Sequence, residues 1–213
     1  MTNHKGEGRI APPSGNHDTE QIGPWRVTSK REAFSNPWID VIHHEVVNPD
    51  GSPGKYGVVR FKNYAIGVLA IDSDGTILLV GQHRFPFDAY SWELPEGGGA
   101  KVEDPLVSAK RELVEETGYS AEQWRELIRF DVSNSVTDEQ AICFIAWDLI
   151  QGAPQPEPTE CFDYKRVSFD ELHAMVLDGR ITDSLTVVMA LAAYSLCQKG
   201  ELPDPVQKLL KQA

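Results

Sequence analysis

Basic charge is scarce in this chain: 20 Lys and Arg stand against 32 Asp and Glu, a formal net charge of −12 over 213 residues. That scarcity excludes extended DNA or RNA as an expected partner, because nucleic-acid binding depends on clustered cations that neutralise phosphates. Cysteine is sparse too. Cys143, Cys161 and Cys197 are an odd, widely spaced set with no CxxC pair, so neither a disulfide framework nor a zinc site is expected. Long apolar runs are missing: no stretch approaches the roughly 18 residues of a membrane span. The opening MTNHKGEGRIAPPSGNHDTEQ lacks the apolar region of a signal peptide. A soluble, cytoplasmic protein with no membrane partner is expected.

The composition that remains, 41% apolar and 24% charged, is ordinary for a globular protein, and the length suits one catalytic domain with additions. Residues 1–22 are polar and aperiodic and are expected to form a disordered tail. From Trp25 the sequence turns β-like, with WRVTSKREAF, WIDVIHHEVV and KYGVVRFK; the last two are separated by the turn composition NPDGSPG. YAIGVLAI and TILLVGQHRF follow around Asp72–Gly75, then the short strand SWELP and a glycine-rich loop, PEGGGAKVED. DPLVSAKRELVEET is predicted as a helix with Asp104 as N-cap, Pro105 at its first position and Gly118 as C-cap. Strands at WRELIRFDVS, AICFIAWDLI and DYKRVSF precede two or three C-terminal helices. The domain boundaries read as 1–22 tail, 23–62 N-terminal β region, 63–200 catalytic domain and 201–213 C-terminal helix.

The chemistry concentrates in GGGAKVEDPLVSAKRELVEETGY. Gly97, Glu103, Arg111, Glu112, Glu115, Glu116 and Gly118 stand at the spacing G-x5-E-x7-R-E-U-x-E-E-x-G-U, with Tyr119 at the final apolar place. At background usage such a pattern arises by chance on the order of once in a million chains of this length. Glu112, Glu115 and Glu116 are spaced i, i+3, i+4 and share a helical face, with Leu106, Ala109 and Leu113 expected as the opposite, docking stripe. Three like charges so close repel by roughly 0.2–0.5 kcal/mol per pair unless a cation sits among them. Oxygen ligands select magnesium, manganese or calcium over zinc. A solvated acidic helix face is the bland alternative, and the Gly97–Gly99 run beside the helix argues against it, since glycine lets backbone approach a metal or phosphate closely. The same run is neither a P-loop nor a G-x-G-x-x-G motif.

This pattern resembles the box of the Nudix hydrolases, and GQHRFPFDAYSWELPEGGG resembles their ADP-ribose pyrophosphatase and nucleotide-sugar branch. The resemblance implies an α/β Nudix fold, a mixed β-sheet sandwiched between helices, with an N-terminal antiparallel sheet that serves dimerisation. It implies Mg2+, replaceable by Mn2+, held by Glu112 and Glu116, supported by Glu115 and by the backbone carbonyl of Glu96. Glu103 and Arg111 then fix loop and helix. Trp38 and Tyr56 are candidates to stack on a nucleobase and Arg84 to face a phosphate; core packing and a surface ion pair are the alternatives. His43 and His44 alternate along a strand and are taken as structural. The box does not supply a general base, and Glu139 or Glu160, each ending a loop before a strand, are the candidates, with Glu139 favoured for its shorter loop. Where many relatives carry a proline-glycine pair, this chain has SNSVTDE, which points to a broader nucleotide-sugar range, GDP-mannose included. Triphosphate clean-up and a catalytically silent nucleotide sensor are the rival functions; the silent reading is disfavoured because no box acid is missing.

Overall fold

The computed structural model of the chain describes residues 20–153 and 162–211. Its first sheet is antiparallel, in the order β1 (Glu20–Ile22), β2 (Trp25–Ser35), β3 (Ile39–Val47), β4 (Pro53–Phe61). Glu20–Ile22, assigned above to the tail, pairs with Val27–Trp25 across a turn at Gly23, whose φ is +55°. The β3–β4 hairpin closes where expected: Asn48 N–H donates to the Ser52 carbonyl, Asp50 Oδ1 accepts from Ser52 N, and Gly51 supplies a φ of +86°.

Two further sheets follow along the chain. One is mixed, in the order β8 (Glu96–Ala100), β5 (Asn63–Ala70), β10 (Gln140–Gln151), β9 (Tyr119–Asp131), with β5 and β10 parallel. The other is antiparallel, β11 (Asp163–Val167), β6 (Ile77–Arg84), β7 (Ala89–Glu93). β5 is apolar on both faces because both are covered, as a central strand of a sandwich requires. Ile66, Val68 and Ala70 pack with Ala109 and Leu113 of helix α1 (Pro105–Thr117). Leu69 and Ile71 pack with Leu172 and Met175 of α2 (Phe169–Leu177) and with Met189 and Ala193 of α3 (Ser184–Lys199). A short helix α4 (Asp204–Leu209) closes the far side through Val206.

A second expectation, besides the tail boundary, is corrected in the fold. Glu96–Ala100, read as loop from its glycines, is a strand whose register pairs Gly97 with Ile66 and Gly98 with Ala65. The edge of β5 offers main-chain donors and acceptors that must be satisfied when buried, and a glycine strand serves as well as any other.

Candidate active site

Helix α1 is set against β8 by its ends and by one arginine. Asp104 caps its first turn, accepting from Leu106 N at 3.0 Å, and Gly118 closes it with a φ of +74°. Glu103 Oε2 accepts from Ser108 Oγ at 2.6 Å, tying the preceding turn to the helix. Arg111 donates to the Gly98 carbonyl at 2.8 Å and to Glu115 at 2.8 Å, and lies 2.9 Å from Glu112 Oε1. A planar guanidinium is suited to bridging a helix and a strand in this way.

The box glutamates do not share one solvated face. Glu112 and Glu116 are buried, at 8% and 2% exposure, together with Ala109 and Leu113, so the buried side of α1 is wider than the apolar stripe predicted. Glu116 Oε2 accepts from Glu96 N at 3.0 Å. The Glu112 carboxylate occupies space beside Gly97 that no other residue would leave: a Cβ there would stand 2.3 Å from its carboxyl carbon. Glu115 turns to Arg111 and stays partly exposed. Two carboxylates packed against the start of a glycine strand are an oxygen-rich, near-dry setting, which fits a hard divalent cation.

Beside them lies a second acidic group. Arg84, expected to face a phosphate, forks onto Glu93, with Nε at 2.9 and 3.0 Å from its two oxygens, and reaches Glu96 Oε1 at 2.7 Å. Glu93 is 1% exposed, so its charge needs that partner. Asp183, the N-cap of α3, accepts from Thr186 N at 2.7 Å, and oxygens of Glu93, Glu96 and Asp183 lie within 4.8 Å of one another. Burial, then the charges of Asp183 and Glu93, push the Glu96 carboxyl well above the usual carboxylate range despite Arg84. Burial works against the charge on Arg84, but its bond to Glu93 and the charges of Glu96 and Glu93 outweigh it and hold the guanidinium above its ordinary value.

Arg84, Glu96 and Asp183 open into one cleft of about 330 Å³, lined also by Trp38, Gly97 and Glu139; Glu93, Glu112 and Glu116 do not line it but stand behind its wall. Glu139 is half-buried there; burial first, and the neighbouring Asp138 charge second, raise its pKa. Tyr56 does not line this cleft. It borders a smaller depression of about 200 Å³ with Trp25 and His44, and its hydroxyl donates to the Ser135 carbonyl at 2.6 Å. Glu160 lies outside the described residues. A larger cavity of about 500 Å³, by Tyr119, Tyr164 and Arg166, contains none of the predicted site residues, and Arg166 is already paired with Asp72 at 2.7 Å.

The family profile described as NUDIX domain matches residues 62–185, more than half the chain. The chain belongs to the Nudix hydrolase family. A second profile, described as nucleoside diphosphate sugar hydrolase N-terminal domain, matches residues 25–59, the span from β2 into β4. The chain is 35% identical to the methanol dehydrogenase activator of Bacillus methanolicus over 159 residues, 74% of this chain and 85% of that protein. It is 30% identical to the ADP-ribose pyrophosphatase of Bacillus subtilis over 169 residues, 79% and 85% of the two chains. The crystal structure of an ADP compounds hydrolase covers 86% of this chain and all of its own, with a TM-score of 0.75 at 16% identity, a likeness of fold.

Within this Nudix chain, two cleft residues escaped sequence reasoning. The resemblance implies the Glu96 carbonyl rather than its carboxylate as a ligand, and Asp183 lies outside the box altogether. Its place before Ser184 marks an N-cap. Nothing local says that this cap meets the end of β7. Leu94 N donates to Thr186 Oγ1 at 2.9 Å, and that contact brings the start of α3 to the cleft. Among the described residues no helix is long and apolar enough to cross a membrane.

Proposed function

We propose that this Nudix hydrolase cleaves the pyrophosphate bond of nucleoside diphosphate sugars, ADP-ribose-like and extending to GDP-mannose, yielding a nucleoside monophosphate and a sugar phosphate. The observation that carries this is the single cleft in which Trp38, Arg84 and Glu139 face the strand start against which Glu112 and Glu116 are buried. Its volume falls within the range of small-molecule sites. The match of residues 25–59 to a nucleoside diphosphate sugar hydrolase N-terminal domain supports the substrate class.

Glu112 and Glu116 would hold Mg2+, or Mn2+ in its place, with the Glu96 carbonyl as a backbone ligand and Glu115 in support through Arg111. Such an ion neutralises phosphate charge and lowers the pKa of a bound water. Arg84, 36% exposed beside the cleft, keeps Glu93 and Glu96 in place and presents its outer edge to an anionic substrate. Trp38, 66% exposed at the rim, offers a ring for a base to stack on. Glu139 takes the proton from the attacking water as the new P–O bond forms and the bridging P–O bond breaks. A raised pKa brings such a base closer to neutrality, where proton transfer is most effective.

The protein acts as a homodimer through its N-terminal sheet, whose Ile22, Trp25, Phe34, Trp38 and Tyr56 are exposed large apolar groups. The direct test is incubation with ADP-ribose and magnesium, then with a panel of nucleoside diphosphate sugars, reading nucleoside monophosphate release. AMP formation that chelation abolishes is the expected result. Binding of ADP-ribose without AMP release would favour a nucleotide sensor, and turnover of triphosphates alone would favour clean-up.

A further inference from the structure

The loop that carries Glu139 is not an independent excursion between β9 and β10. Residues 135–138 are laid along the outer edge of β4, the last strand of the N-terminal sheet. Val59 N donates to the Val136 carbonyl at 2.9 Å, and Asp138 N returns a bond to the Val59 carbonyl at 3.2 Å. Two residues further along the same edge, Phe61 N donates to Asp138 Oδ1 at 2.8 Å. In a strand, alternate N–H groups point to the same side. Val59 and Phe61 therefore present their donors together, and the loop takes both. Tyr56 adds a third anchor through its hydroxyl on the Ser135 carbonyl at 2.6 Å. Inside the loop Thr137 Oγ1 bonds the Ser133 carbonyl at 2.8 Å, and Val132 N meets the Glu139 carbonyl at 3.0 Å.

The Asp138 carboxylate is thus spent on a backbone amide of the N-terminal sheet, one residue before the carboxylate that enters the cleft. We propose that Asp138 is a positioning residue for Glu139, and that the N-terminal sheet, through Phe61 N and Tyr56, sets where that carboxylate stands. This rests on the assignment of Glu139 as the general base. Only a few soft dihedrals separate the anchored Asp138 backbone from the Glu139 carboxylate, so fixing the first narrows the positions open to the second. A base must lie within hydrogen-bond reach of the water it deprotonates, and a displacement of about 1 Å costs on the order of 100-fold in rate. The N-terminal region then serves chemistry as well as assembly.

The experiment is a double-mutant cycle on the full chain, with a nucleoside diphosphate sugar that the wild type turns over. Asp138→Ala removes the acceptor and is expected to lower kcat by about 10- to 100-fold with KM changed by less than about threefold. Asp138→Asn keeps a carbonyl oxygen for Phe61 N–H and should recover most of that loss. In the Glu139→Gln background Asp138→Ala should cost nothing further, because the group it positions is gone. Hydrogen exchange at the Phe61 amide should accelerate in Asp138→Ala alone, an effect independent of turnover. Tyr56→Phe, which deletes only a surface hydroxyl, is the second probe should Asp138→Ala fold poorly: its smaller kcat loss should likewise vanish in the Glu139→Gln background. Additive losses, no recovery in Asp138→Asn, or wild-type kcat in Asp138→Ala beside an impaired Glu139→Gln would overturn the positioning role alone. Wild-type kcat in Glu139→Gln would remove the general base and the proposal with it.

Discussion

Gly97→Ala separates catalytic from structural damage at this site. The new Cβ would stand 2.3 Å from both the carboxyl carbon and Oε2 of Glu112, whereas non-bonded carbons settle at about 3.5–4.0 Å. Glu112 must therefore retreat by more than about 1 Å. Its carboxylate is the far end of a flexible side chain, so a rotamer change relieves the clash at about 0.5–1.5 kcal/mol. For a chain of this size that lowers Tm by only about 1–6 °C. The same retreat takes a proposed metal ligand out of place, and a misplacement of that size costs on the order of 100-fold in kcat. Gly99→Ala should do the reverse. There the Cβ would meet Ile66 Cγ1 and Ser108 Oγ at 2.8 Å, both part of the packing of α1 on the mixed sheet, and overpacking of that kind costs about 1–3 kcal/mol. Gly57→Ala, with nothing within 4 Å, is the control. Thermal melts beside kcat at several magnesium concentrations give the readout. Wild-type kcat and metal dependence in Gly97→Ala would refute the placement of Glu112 at the catalytic centre.

The remaining predictions concern charge and assembly. Glu112→Gln and Glu116→Gln should each abolish most turnover while leaving the circular dichroism spectrum unchanged; a folded variant with near wild-type activity at saturating magnesium would defeat the ligand assignment. Glu139→Gln should lower kcat by about 10² to 10⁴ with little change in KM. The proposed base, Glu139, would work ionised and its pKa is raised, so wild-type kcat should increase with pH through a limb lying above the ordinary carboxylate range. That limb should be missing in Glu139→Gln; if Glu160→Gln loses it instead, the assignment passes to Glu160. Light scattering at micromolar concentration should give the mass of two chains, and a monomer would count against the N-terminal sheet as a dimer surface.

Helix α1 was legible because its determinants are local. Asp104, Pro105 and Gly118 bound it in sequence, and a period of 3.6 places Glu112, Glu115 and Glu116 on neighbouring turns whatever surrounds them. The hairpin turns at Asn48–Ser52 and Asp72–Thr76 were legible for the same reason: their bonds close within a few residues. Burial was not, since the i, i+3, i+4 rule fixes direction around a helix but not what stands opposite. That Glu112 and Glu116 face a strand start rather than water follows from β8 pairing with β5, a non-local choice. The partners of Arg84, the approach of Asp183 to Glu96, and the anchoring of the 133–139 loop on β4 depend on segments far apart in sequence. Each becomes definite only when packing brings those segments together, because a carboxylate or an amide selects its partner by proximity and dryness, and the chain order encodes neither.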